Sequence, residues 1–161
     1  DMAISAITIL PERAEQFSFS DPYINAGQII TVVVDNDTVT SPDDLVGATI
    51  GAQLGTTGAM EVEEIPDATL KTYDTYELAF LDLMNGQVDA VIADYPTAVA
   101  FVNMNSDDLK VVGEVFTDEY YGIAFCKGND ELISQVNDAL ATLQAEGYID
   151  ELVNTWYGDS N

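Results

Sequence analysis

The strongest constraint on this chain is the alternation of short β-branched runs with segments of helical periodicity. Gly27-Gln28-Ile29-Ile30-Thr31-Val32-Val33-Val34 has the composition of a strand, and Asp35-Asn36-Asp37 ends it. Ser41-Pro42-Asp43-Asp44-Leu45 then reads as a helix start, with Ser as N-cap, Pro at the first position and acids in the first turn. Ala48 to Ala52 is a short strand, and Gln53-Leu54-Gly55-Thr56-Thr57-Gly58 leads into a helix over Ala59 to Ile65. Strand Thr69 to Tyr73 precedes a helix from Asp74 to Asn85. Asp74 and Glu77 have capping-box spacing, Leu78, Ala79, Phe80, Leu81 and Met84 supply the expected buried face, and Gly86 ends the helix. Val88 to Ala93 is a core strand, and Asp94-Tyr95-Pro96-Thr97 opens another helix.

The flanks follow the same logic. Met2 to Ile9 reads as a buried strand, Pro11 to Phe17 as a helical turn begun by Pro, and Ser20-Asp21-Pro22-Tyr23 as a turn. Leu109 to Gly113 and Tyr121 to Cys126 are strands. Leu132, Ile133, Val136, Leu140 and Leu143 keep helical spacing, as do Ile149, Leu152, Val153 and Trp156. No internal repeat or low-complexity linker interrupts the order. The class is α/β with a largely parallel sheet.

Composition narrows the function. The 161 residues include 29 acids and 4 bases, a formal charge of −25, with no histidine and one cysteine. Ser-His-Asp or Cys-His catalysis, a His-ligated zinc site, a Cys-only zinc site and an internal disulfide are all excluded. The charge repels phosphate backbones, which excludes ordinary nucleic-acid binding. Hydrophobic residues at 47% and a mean hydropathy of +0.07 describe a core-forming chain rather than a disordered acidic one. Acids spread along the whole chain favour adaptation to a saline milieu over steering of cations or a metal-rich surface. The apolar runs are strand-sized rather than membrane-spanning.

Three motifs are set aside. Gly51 to Gly58 lacks the Lys-Ser/Thr ending of a phosphate loop and the dinucleotide glycine pattern. Asp35-Asn36-Asp37 could begin a calcium loop, but its sixth position is Thr40 rather than Gly and its twelfth Val46 rather than Glu. Cys126, in a β-strand run, reads as a buried inert thiol. No metal or cofactor is expected.

Three elements point to ligand chemistry. Gly55-Thr56-Thr57-Gly58 joins a strand to a helix, which aims backbone N–H groups at an anion, although Gly and Thr are also ordinary loop residues. Arg13 is the only arginine; it suits a carboxylate, or a surface ion pair with Glu12 or Glu15. Asp94 ends a core strand, where it could receive an ammonium, cap the following helix, or both.

Four segments carry a resemblance: Ile7-Thr8-Ile9-Leu10-Pro11-Glu12-Arg13 continuing into Phe19-Ser20-Asp21-Pro22-Tyr23; Val46 through Gly58; Asn85 through Pro96; and Phe116 through Ala124. In order and spacing the chain resembles the family-3 extracellular solute-binding proteins, the polar-amino-acid receptors of ABC importers. The resemblance implies a periplasmic-binding-protein-like (type II) fold, with two α/β lobes joined by hinge strands and closing on a free amino acid. By position, Arg13 and Thr8 would hold the ligand from the first lobe, with Arg13 on the α-carboxylate. Thr57 and the Gly58 N–H would hold the same carboxylate from the second, Asp94 would take the α-ammonium, and Gln53 would line the side-chain pocket. Ala6 stands where some relatives have a hydroxyl.

The resemblance also implies what this chain lacks. The family has strands and helices before the segment that begins here, so the chain reads as N-terminally truncated. Residues 34–113 would be a complete second lobe and residues 1–33 and 114–161 an incomplete first lobe, with hinge crossings near Val33–Asp35 and Gly113–Phe116. Exposed first-lobe surface is expected to drive self-association or pairing with the missing N-terminal segment, and ligand affinity is expected to fall below that of a full-length protein. The partners implied are a free amino acid and the membrane permease of an ABC importer. The location implied is extracellular or periplasmic, with a lipid anchor allowed through the missing N-terminus. The alternatives are a dehydratase of aromatic amino-acid precursors on the same fold, for which Glu119 or Asp94 could move a proton, and the ligand-binding domain of a sensor receptor. The ending Tyr157-Gly158-Asp159-Ser160-Asn161, where similar transport proteins end, favours the free binding protein over the sensor.

Overall fold

A computed structural model describes residues 2–157. Asp1 and residues 158–161, which bear on the reading of the chain ends, lie outside the described residues. In chain order the elements are β1 (Met2–Thr8), α1 (Pro11–Gln16), β2 (Phe17–Phe19), β3 (Ile24–Asn25), β4 (Gln28–Val33), a 3-10 turn (Pro42–Leu45), β5 (Thr49–Gln53), α2 (Thr57–Glu64), β6 (Thr69–Tyr73), α3 (Tyr76–Met84), β7 (Ala90–Asp94), α4 (Tyr95–Met104), β8 (Leu109–Val112), β9 (Tyr120–Cys126), α5 (Asp130–Ala145) and α6 (Tyr148–Tyr157).

The chain divides into two units, Gly27–Thr117 and the pair of segments Asp1–Ala26 with Asp118–Asn161. The sequence suggested crossings near 33–35 and 113–116; the structure puts them at 26/27 and 117/118. β4 is the reason, because it has a strand partner on each side, β7 and β8, both inside Gly27–Thr117.

Within Gly27–Thr117 the sheet order is β6-β5-β7-β4-β8. β5 pairs parallel with β6 and β7, whereas β4 runs antiparallel to both β7 and β8. The expected largely parallel sheet is therefore mixed. Strand alternation sends residues to opposite faces, and both faces are covered. Ile29, Val91 and Ala93 pack with Ala79, Phe80 and Leu83 of α3 and Ala98 of α4. Ile30, Val32, Ile50, Ala52, Ala90 and Ile92 pack with Leu45 and with Ala59 and Val62 of α2. Ser41 and Pro42 start their turn as the sequence predicts; the Asp44 carboxylate accepts from the Ser41 N–H at 3.0 Å and the Thr40 N–H at 2.9 Å. These bonds, the Thr40 backbone first, hold the Asp44 carboxyl below the usual carboxylate range. β6 is an edge strand, and Lys71 on it pairs with Asp82 of α3 at 2.6 Å, a charge that discourages edge-to-edge association.

α3 corrects two readings. Its N-cap is Thr75 rather than Asp74, and its buried residues are Tyr76, Ala79, Phe80 and Leu83. Leu78 and Leu81 are 47% and 49% exposed. The helix is apolar nearly all round, so sequence periodicity alone does not select the face; stacking of Phe80 on Phe101, with ring centroids 4.5 Å apart, marks the one that packs.

In the other unit β9 is central. β1, β2 and β3 all pair with it antiparallel. Ile123 and Phe125 form a core with Leu140 of α5, onto which Tyr23, Leu132, Ile133 and Val136 pack. β1 is not the buried strand expected: residues 2–6 are exposed and Thr8 is buried. Its register with β9 shifts between Ala3 and Ile7, and Ala6 has φ 48°, the mark of a bulge. Cys126 is also exposed rather than buried, because β9 ends there.

Phe80→Ala should lower unfolding free energy by about 3–5 kcal/mol, whereas Leu81→Ala should cost about 0.5 kcal/mol or less. Urea titration followed by circular dichroism measures both; equal losses would contradict the packing face described.

Candidate functional site

The candidate residues fall in both units, and each cluster has its own geometry. In Gly27–Thr117 the site lies at the carboxyl ends of the parallel strands, where α/β folds bind ligands. Gln53 is the last residue of β5 and Asp94 the last of β7. Because β4 runs antiparallel to β7, its first residue, Gln28, pairs with Asp94. The backbone fixes that start: the Gln28 N–H donates to Thr117 Oγ1 at 2.7 Å and its carbonyl accepts from the Phe116 N–H at 3.0 Å. Gly27 is required there, since a Cβ would run into the Thr117 carbonyl oxygen.

α2 starts at the same edge. Thr56 is its N-cap, with Oγ1 accepting from the Ala59 N–H at 3.3 Å and donating to the Gln53 carbonyl at 2.7 Å. The first N–H groups of a helix have no acceptor within it. With Ala59 served by Thr56, those of Thr57 and Gly58 remain as the pair presented at the helix start, where the helix dipole favours an anion. Gly58 is buried, and a Cβ on it would lie 2.8 Å from Gln28 Oε1 and 2.9 Å from the Ile92 carbonyl oxygen. Only glycine lets α2 begin this close to β4 and β7.

The side chains form one array. Gln28 Nε2 donates to Asp94 Oδ1 at 2.5 Å and to Thr57 Oγ1 at 3.0 Å. Asp94 occupies the N-cap position of α4, yet its side chain makes no capping hydrogen bond. Gln53 is half-buried at this edge, with its Nε2 donating to the Asp74 carbonyl at 2.9 Å. Asp94 and Thr57 are thus joined through Gln28, and Gly58 lies beside the same amide. Gln28, which joins them, was missed; its signal was an amide at the head of an otherwise β-branched run.

In the other unit, Arg13 lies in α1, half-buried, and its Nη1 donates to the Thr8 carbonyl at 3.0 Å. Thr8, 4% exposed, donates its hydroxyl to Glu119 Oε2 at 3.2 Å. Arg13, Thr8 and Glu119 therefore form a second polar cluster, a guanidinium at one end and a carboxylate at the other.

Residues 1–159 match the bacterial extracellular solute-binding proteins, family 3. The L-cystine-binding protein TcyJ of Escherichia coli is 34% identical over 160 residues, 98% of this chain and 60% of its own length. The solved structure of an ancestral arginine-binding protein bound to arginine is 41% identical with a TM-score of 0.89, covering 98% of this chain and 72% of that one. An ancestral amino-acid-binding protein described as a precursor of cyclohexadienyl dehydratase is 37% identical with a TM-score of 0.88, covering 98% and 69%. The chain spans about 60% of the length of the curated relative named. It belongs to family 3 of the bacterial extracellular solute-binding proteins, and its fold is the mixed α/β fold of type II periplasmic amino-acid-binding proteins.

Gly58→Ala should destabilise the chain by about 1–3 kcal/mol through overpacking and speed amide exchange in the first turn of α2. Unchanged exchange there would contradict the close approach to Gln28 and Ile92.

Proposed function

We propose that this chain binds a free L-α-amino acid, as the receptor component of an ABC importer acting on the outer side of the membrane, and performs no chemistry on it. One observation carries the reading: a carboxylate, Asp94, and an anion-preferring helix start, Thr57 and Gly58, stand at one sheet edge joined through a single side chain. A zwitterion needs both. Its ammonium goes to Asp94, and its carboxylate to the Thr57 hydroxyl and the Gly58 N–H. In the other unit Arg13 offers a guanidinium suited to a carboxylate, with Thr8 beside it, and Gln53 serves the ligand side chain. Membership of a solute-binding family and relatives named for cystine and arginine binding support the reading.

A dehydratase would need a carboxyl placed to move a proton. The Glu119 carboxylate accepts from the Thr8 hydroxyl and Asp94 from the Gln28 amide, and the binding role accounts for Asp94 without chemistry.

Calorimetric titration with the natural L-amino acids should give saturable binding of at least one. Arg13→Ala should abolish it with little change in thermal midpoint, and Asp94→Asn should weaken it about tenfold or more. An unchanged dissociation constant in Asp94→Asn would contradict the ammonium assignment.

A further inference from the structure

We propose that Gln28 is the positioning residue of this site: one buried amide sets the orientation of both groups that meet the two ends of the ligand. The inference rests on the function proposed above. Gln28 is 0% exposed. Its Nε2 has two hydrogens and no lone pair to offer; one hydrogen goes to Asp94 Oδ1 and the other to Thr57 Oγ1. Both recipients are therefore forced to accept.

For Thr57 this sets the direction of the hydroxyl. A lone pair is taken by the amide, so the O–H proton must point elsewhere, as a donor, which is what a carboxylate requires. For Asp94 it pins one oxygen and so the plane of the carboxylate. The amide cannot be turned over, because its oxygen would then face the carboxylate oxygen. The main chain cannot move it either, held as it is by Thr117 on one side and Phe116 on the other.

Folding alone does not ask for an amide here. Gln28 Oε1 is buried with no hydrogen-bond partner in the protein, which disfavours the folded state. A methionine would match the length and shape and remove that burden, though it would also remove the donors to Asp94 and Thr57. The amide is explained by what it does to Asp94 and Thr57.

The test is a double-mutant cycle of Gln28→Met and Asp94→Asn, read by calorimetry with the L-amino-acid panel and by thermal unfolding. Gln28→Met should shift the unfolding midpoint only slightly, the relieved amide oxygen offsetting the two lost hydrogen bonds, and raise the dissociation constant about tenfold or more. In the Asp94→Asn background the same change should cost markedly less. In the unmutated, ligand-free chain the two Gln28 side-chain amide protons should give separate, slowly exchanging NMR signals. Binding by the wild type that survives Gln28→Met within about twofold overturns the inference and leaves the function standing, as does a loss that adds fully to that of Asp94→Asn. Fast-exchanging amide signals overturn it whatever the fate of the variant. Absence of amino-acid binding by the wild type overturns the function and this inference with it.

Discussion

The pairing of Gln28 with Asp94 is the interaction on which the site depends. It exists because β4 enters the sheet of Gly27–Thr117 antiparallel, between β7 and β8. A parallel β4 would begin at the opposite edge, far from the carboxyl end of β7. Reversed, its first residue falls beside the last residue of β7, and the buried amide meets the carboxylate. Gly58 then brings the start of α2 against the same amide. Topology, one glycine and one glutamine place a carboxylate and a helix N-terminus together, and two kinds of charge preference at one edge are what a zwitterion needs.

The scarcity of cations gives the second constraint. Against 29 acids the chain has four basic residues, and each has a defined partner. Lys71 and Lys110 pair with Asp82 and Asp37. Lys127 and Arg13 donate to main-chain carbonyls, of Ala14 and Thr8. The lysine ion pairs lie at the surface, partly open to solvent, where such pairs contribute about 0–1 kcal/mol, so they fasten local elements rather than hold the fold. Hydrophobic burial on both faces of the larger sheet does that.

Much of this was legible in the sequence for physical reasons. Strand β6 has the bounds its composition suggests, Pro11 begins α1, and Asp94 closes β7 as a strand-end carboxylate should. What could not be read depends on contacts remote in sequence. The reversed direction of β4 is a property of its neighbours. The packed face of α3 is chosen by Phe101, which an almost uniformly apolar helix does not announce. Exposure of Cys126 follows from where β9 ends, and that of β1 from the lack of packing on residues 2–6. The role of Gln28 was hidden because one amide in a β-branched run looks like noise until its partners are known.

The central claim is that the start of α2 and Asp94 receive opposite ends of one ligand. The most direct measurement is a ¹⁵N–¹H titration of the whole chain with a binding L-amino acid, its decarboxylated amine and its deaminated acid. The account predicts large shifts at the Thr57 and Gly58 amides with the amino acid and the deaminated acid. The amine should leave those two amides in place and shift the Asp94 carboxylate carbon in a parallel ¹³C spectrum. Shifts at Thr57 and Gly58 with the amine, or none with the amino acid, would contradict it.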